Sequence, residues 1–133
     1  MLKKITLAMV LASACSLPAM AQGASCNAPA APAIVDPAKA TVDQIRGVLT
    51  SAQGFIAASD TYQLCLGSAL QAQKDQAKKD NKPFDTALEA AMNAKVQANQ
   101  DLKVKVGNDA NTAITAYKKV HGCEGKLLAA CQG

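Results

Sequence analysis

Four cysteines in this sequence, Cys26, Cys65, Cys123 and Cys131, can do chemistry with one another. A fifth, Cys15, stands near the start in "LASAC". The one histidine, His121, lies in "HGC", an imidazole near a thiol, as a metal site or a Cys–His nucleophile would have it. Zinc, however, takes three or four ligands at recognised spacings, and the chain has no second histidine and no C-x-x-C. Near a helix C-terminus, His121 is instead a cation-capable residue favoured by the helix dipole. Covalent haem in its usual form would need C-x-x-C-H, which is absent. Asp75, Asp80, Asp85 and Asp101 are dispersed along the chain rather than paired for acid–base work. There is no glycine-rich phosphate loop, no G-x-S-x-G and no EF-hand loop. Met92 stands alone once the N-terminal segment is set aside, so methionine-rich copper binding has no support. No catalytic residue, cofactor-binding residue or metal ligand is assigned, and the expectation is a protein that is not an enzyme. The chemistry that remains is disulfide formation.

That chemistry requires export, and the N-terminus predicts it. "MLKK" is a charged start, "ITLAMVLASA" an apolar run, and "LPAMAQ" a break followed by small residues. Together they predict a signal peptide over residues 1–21, cut between Ala21 and Gln22, and a periplasmic or secreted protein. The apolar run is too short to span a bilayer, which takes about 20 residues. A rival reading makes Cys15 a lipidated anchor, although Ala12 stands where a large aliphatic residue is expected. Only then would the protein associate with a membrane.

Removal of residues 1–21 takes Lys3 and Lys4 away and leaves 12 basic residues against 10 acidic, a net charge near +2. The charges are interspersed, and the chain has no Trp, two Phe and two Tyr. Nothing resembles the basic stripe with stacking aromatics that nucleic acid demands. The remaining 112 residues suit one domain with a modest core.

The elements follow from punctuation and periodicity. Pro29, Pro32 and Pro37 fix φ and remove backbone donors, so residues 22–40 are expected to be an extended, polyproline-like strap or tail. Thr41 and Gln44 then form a capping box, with Asp43 in the first turn. Apolar or small residues recur at Val42, Ile45, Leu49, Ala52, Ile56, Ser59, Leu66 and Leu70, flanked by Val48, Phe55, Tyr62 and Ala69. This spacing predicts a helix to about Ala77. Gly47 and Gly54, seven apart on one face, suggest close packing of another segment rather than plain tolerance. "KKDNKPFD" breaks the pattern at Pro83, and Thr86 with Glu89 reads as a second capping box. Leu88, Met92, Val96, Leu102, Val106, Ala110, Ala113, Tyr117 and Val120 carry the next stripe as far as "HGCEG". "VKVKVG" could suggest a strand, but it is brief and flanked by helix, so helix is expected throughout. "KLLAACQ" predicts about two further helical turns.

Two such helices joined by a short turn must run antiparallel, giving an all-α, coiled-coil-like hairpin domain over residues 41–133. With the turn near residue 82, facing positions should sum to about 164, which sets Gln63 and Cys65 near Asn99 and Asp101. Gln63 and Asn99 are either a polar layer that fixes register or a pair of solvated amides.

Four cysteines allow three connectivities, and reach separates them. The 15 residues from Cys26 to Thr41 span about 45 Å as polyproline, whereas the helix from Thr41 to Cys65 rises only about 36 Å. The strap can therefore fold back to Cys65. Cys123 and Cys131 are too far apart on a continuous helix, about 12 Å, but Gly122 and Gly125 allow a turn between them. The pairs expected are Cys26–Cys65 and Cys123–Cys131. The layout "CNAPAAP … ATVDQI … DTYQLCL" resembles a pattern in small exported bacterial proteins of unknown function, with a Cys/Pro-rich strap and Tyr-x-x-Cys-Leu in a long helix. The resemblance covers residues 26–66, implies the first pairing and implies no activity.

The function expected is non-enzymatic: an exported helical protein acting through its surface on a protein partner, as scaffold or chaperone-like factor, with homo-oligomers open to it. The alternatives are an envelope lipoprotein anchored at Cys15 and a protein binding a metal or small ligand near His121.

Overall fold

The computed structural model describes residues 25–131. They form a non-helical segment over 25–40 that ends in a turn, a long helix α1 (Val42–Lys79), a second long helix α2 (Thr86–Val120) and a single 3-10 turn, Leu128–Ala130. The two helices pack side by side as an antiparallel hairpin with no strand among the described residues. The predicted signal peptide and Cys15 lie outside the described residues. At 1.5 Å per residue the helices are roughly 57 and 53 Å long.

Local chemistry sets the helix ends. At Thr41 both bonds of the capping box form: the Gln44 amide donates to Thr41 Oγ1 at 3.2 Å, and the Thr41 amide donates to Gln44 Oε1 at 2.8 Å. The second start differs from expectation by one residue. Asp85, not Thr86, is the N-cap of α2, its carboxylate accepting the amides of Ala87 at 2.9 Å and Leu88 at 3.3 Å. The ionised carboxylate meets the positive end of the dipole, and Thr86 becomes the first helical residue. Both C-termini close as Schellman motifs. In α1, Lys82 donates to Ala77 and Asn81 to Lys78, with Asn81 left-handed at φ 49°. In α2, Cys123 donates to Lys118 and Gly122 to Lys119, with Gly122 at φ 65°. "VKVKVG" is helical, as its neighbours require.

Packing corrects the expected stripe on α1. The buried residues are Ile45, Val48, Ala52, Phe55, Ser59, Tyr62 and Leu66, alternately three and four apart. Ile45, Ala52, Ser59 and Leu66 belong to the expected stripe, but Val48, Phe55 and Tyr62 come from the row set down as its flank. Leu49, expected inside, is 37% exposed. The sequence offers an apolar arc wider than one helix contact, and α2 selects one side of it. On α2, Asn99, Val106, Ala110, Ala113 and Tyr117 are buried, while Leu88 and Val120 at the ends of the expected stripe are exposed. Gly47 and Gly54 are also exposed, and a methyl group built on either would meet no atom within 4 Å, so tolerance rather than close packing accounts for them.

The register is fixed by pairs that cross the seam: Gln63 with Asn99, Lys74 with Glu89, Asp60 with Lys103. Their residue numbers sum to 162 or 163, close to expectation.

Residues 25–36 carry no regular hydrogen-bonded structure, yet their burial is periodic. Cys26, Pro29, Pro32 and Val35 are half-buried, and the residues between them are exposed. A period of three is that of polyproline II, so one edge of the strap lies against the hairpin. Val35 packs against both buried clusters: Ile45, Tyr117, Cys123 and Cys131 at the open end, and Val48, Ala52, Phe55, Val106 and Ala110 further along. A turn over residues 37–39 then reverses the chain, stabilised by the Ala38 amide on Asp36 Oδ1.

The strap is joined to α1 by a disulfide between Cys26 and Cys65, whose Cα atoms are 5.7 Å apart. A second disulfide joins Cys123 to Cys131, with Cα atoms 5.6 Å apart. Only one 3-10 turn separates them, not the two helical turns expected of "KLLAACQ". The ring closed by a bridge of sequence separation 8, with Gly125 at φ 75°, leaves no length for more.

Candidate interaction surface

The core ends where the described part of the strap ends. Leu66, the last buried residue of α1, adjoins Cys65, to which the strap is bonded. Across the seam the first buried residue of α2 is Asn99, the partner of Gln63. Beyond that level no residue from 67 to 98 is buried. Two cylinders touch along a line, so closing the sides of their seam takes a third element. At the base the strap supplies one.

The distal arm therefore carries an apolar seam that is only half covered. Ala69, Leu70 and Ala77 on α1, and Met92 and Val96 on α2, are half-buried, and Leu88 is 36% exposed. The arm is held in register by the Lys74–Glu89 ion pair, each side chain about one-third exposed, and Lys74 Nζ sits 5.5 Å from the centroid of the Phe84 ring. Such partly exposed contacts stabilise weakly, each by about 1 kcal/mol or less. Isolated helices of about 13 residues are marginal in water. The arm stays helical because each strand of it continues a helix anchored in the base.

At the junction of base and arm lies a polar layer. Asn99 Nδ2 donates to Ser59 Oγ at 3.3 Å, and Gln63 Nε2 donates to Asn99 Oδ1 at 2.9 Å and to Gln100 Oε1 at 3.3 Å. Ser59 is fully buried and Asn99 is 6% exposed. Of the two readings open for Gln63 and Asn99, the structure takes the paired one. Asp101 accepts from Gln97 on its own helix.

The other candidates have local roles. Asp75 accepts from Gln71, Asp80 from Gln76, and Asp85 caps α2. His121 is the exposed C-cap of α2, its ring 4.2 Å from that of buried Tyr117. Cys123 beside it is consumed by its disulfide and offers no thiolate. Among the described residues no three His, Cys, Asp or Glu side chains converge as a metal site would require. Among them, too, no helix is long and apolar enough to cross a membrane. Two disulfides point to a non-reducing extracellular or periplasmic environment.

The chain matches no family model, no curated protein and no solved structure.

Proposed function

We propose that this is an exported, non-enzymatic protein of the cell envelope that acts by protein interaction, as a scaffold or chaperone-like factor, through the distal arm. The observation that carries this reading is the absence of any buried residue between 67 and 98, although Leu70, Met92 and Val96 continue the apolar pattern of the base. A stapled, strapped base holds out two helices whose seam a partner segment can complete, laying apolar side chains against them as helix-in-groove recognition does. Alanine-rich flanks let such a partner approach closely, and the coiled-coil-like spacing lets a further helix join the pair. The charged start and short apolar run of residues 1–21 support export, with Gln22 the first residue of the mature chain.

The test is suppression of aggregation of a chemically denatured model protein by the mature chain. Leu70→Lys with Val96→Lys should abolish suppression while leaving helicity intact, whereas Thr112→Lys at the exposed base should leave it unchanged. Equal activity in all three proteins, or none in the parent, would refute the assignment to the arm. Mass spectrometry of the exported N-terminus is expected to find Gln22; a lipidated Cys15 would place the protein on a membrane instead.

A further inference from the structure

Helix α1 has two flanks beside its buried line, and they differ in kind. Cys65 precedes buried Leu66 and Gln63 follows buried Tyr62, so at 3.6 residues per turn they leave that line on opposite sides. The strap takes the Cys65 side, where the heptad-spaced row is Ser51, Ala58, Cys65 and Ala72. The row on the other side is Val42, Leu49, Ile56, Gln63, Leu70 and Ala77. It carries the larger apolar side chains, yet none of them is buried, and Leu49 is 37% exposed. On α2 the same flank is bordered by Gln100, which accepts from Gln63, and at heptad spacing by Gly107 and Ile114. No Asp, Glu, Lys or Arg stands in either row. An apolar contact line widened by one apolar flank is the pattern of a bundle helix, not of a two-stranded seam.

The open row is symmetric about Gln63. Ile56 and Leu70 stand one heptad to either side of it, Leu49 and Ala77 two heptads. Gln63 also lies near the middle of α1, so two antiparallel copies related by a two-fold axis there overlap along their whole length. Ile56 of one copy then faces Leu70 of the other, and large Leu49 faces small Ala77. Asp43 comes to the level of Lys82 and Arg46 to that of Asp80, opposite charges in both cases. At the axis, bonds among the described residues use Gln63 Nε2 and Gln100 Oε1. Gln63 Oε1 and Gln100 Nε2 are left for the flank, one acceptor and one donor, as a self-complementary contact requires. Two helices side by side present a face about 50 Å by about 20 Å, more than the roughly 800 Å² per partner of a stable interface.

We propose that a second copy of this chain covers the flank opposite the strap, in an antiparallel, two-fold symmetric four-helix bundle centred on Gln63; this rests on the docking role proposed for the arm and gives that role an occupant. The base of each copy, through Leu49, Ile56 and Ile114, lies over the arm of the other. Strap and second copy close the two sides of the seam in the base. In the arm the second copy closes one side and leaves the other to a further segment.

The experiment is sedimentation of the oxidised mature chain across a dilution series, which should find a dimer. Ile56→Lys places a charge in the flank but outside the arm, and should raise the dissociation constant at least about thirtyfold with helicity kept. Thr115→Lys, on the exposed face of α2 turned away from α1, should leave the dimer unchanged. A second measurement needs no buried charge: a mildly oxidised mixture of Ile56→Cys and Leu70→Cys proteins should yield a peptide crosslinked between positions 56 and 70. A monomeric parent, an unchanged dimer in Ile56→Lys, or crosslinking of position 56 to itself in place of position 70 would each overturn the proposal. A monomer that still suppresses aggregation would strike the dimer and keep the role of the arm, whereas a dimer that suppresses nothing would do the opposite.

Discussion

Gln63 and Asn99, 36 residues apart in sequence, meet across the seam at 2.9 Å, and Asn99 reaches on to Ser59, a fully buried polar side chain. This layer stands between the packed base and the uncovered arm. Asn99→Ala leaves the Ser59 hydroxyl without its Asn99 partner and the Gln63 amide with Gln100 alone, and should destabilise the fold by about 1–3 kcal/mol. Asn99→Leu should cost less in stability but loosen register, since an apolar residue accepts neighbours on either side of the correct alignment. Urea unfolding reads the first effect. Disulfide-independent crosslinking between cysteines placed at positions 74 and 89 reads the second.

The two halves of the hairpin should respond unequally to truncation. Phe55→Ala opens a cavity in the base and should cost about 3–5 kcal/mol. Met92→Ala, in the arm, removes a side chain that is already half in water, and should cost less than about 2 kcal/mol, below the range for buried methionine. Hydrogen exchange should agree, with amides of 67–98 opening at lower free energy than those of 45–62. Equal losses at the two sites would mean that the arm is better packed than its burial indicates.

Removing both members of each disulfide separates the staples. The Cys26–Cys65 bridge spans a sequence separation of 39 and Cys123–Cys131 one of 8. In the chain-entropy model these stabilise by about 4 and about 2.5 kcal/mol, the longer loop being freer when open. Chemical denaturation of Cys26→Ser/Cys65→Ser and Cys123→Ser/Cys131→Ser pairs should give that order. The reverse order would show that burial of the C-terminal bridge outweighs loop entropy.

Helix ends offer gains as well as losses. Asp85→Ala should cost about 1 kcal/mol because two amides lose their acceptor, whereas Thr86→Ala should be near neutral. Asn81→Gly should stabilise by a few tenths to about 1 kcal/mol, since glycine holds the left-handed cap without a Cβ. Gly54→Ala, in open space on a helix, should add about 1 kcal/mol. Thermal midpoints of these four variants test the assignments together.

Much of this architecture is written locally. Thr41 and Gln44 cap one helix through bonds made within four residues, Pro83 closes the turn, and strap length fits Cys26 to Cys65 without knowledge of the rest of the fold. Asp85 against Thr86 was not legible in this way, because adjacent residues both suit an N-cap and the path of the chain out of Pro83 and Phe84 chooses between them. Nor was the buried side of α1. Leu49 and Val48 are both apolar, and only the position of α2 puts Val48 inside and leaves Leu49 37% exposed.

Periodicity, caps, proline and cysteine spacing by themselves determined two long helices, their antiparallel pairing and the fastened strap, because each of these is set by neighbours in sequence or by reach. The tertiary structure alone decided how far the core extends. Leu70, Met92 and Val96 continue the apolar pattern as faithfully as Phe55 and Val106, yet only the latter are buried. Burial needs a third surface against the pair of helices, and among the described residues that surface stops at Cys65.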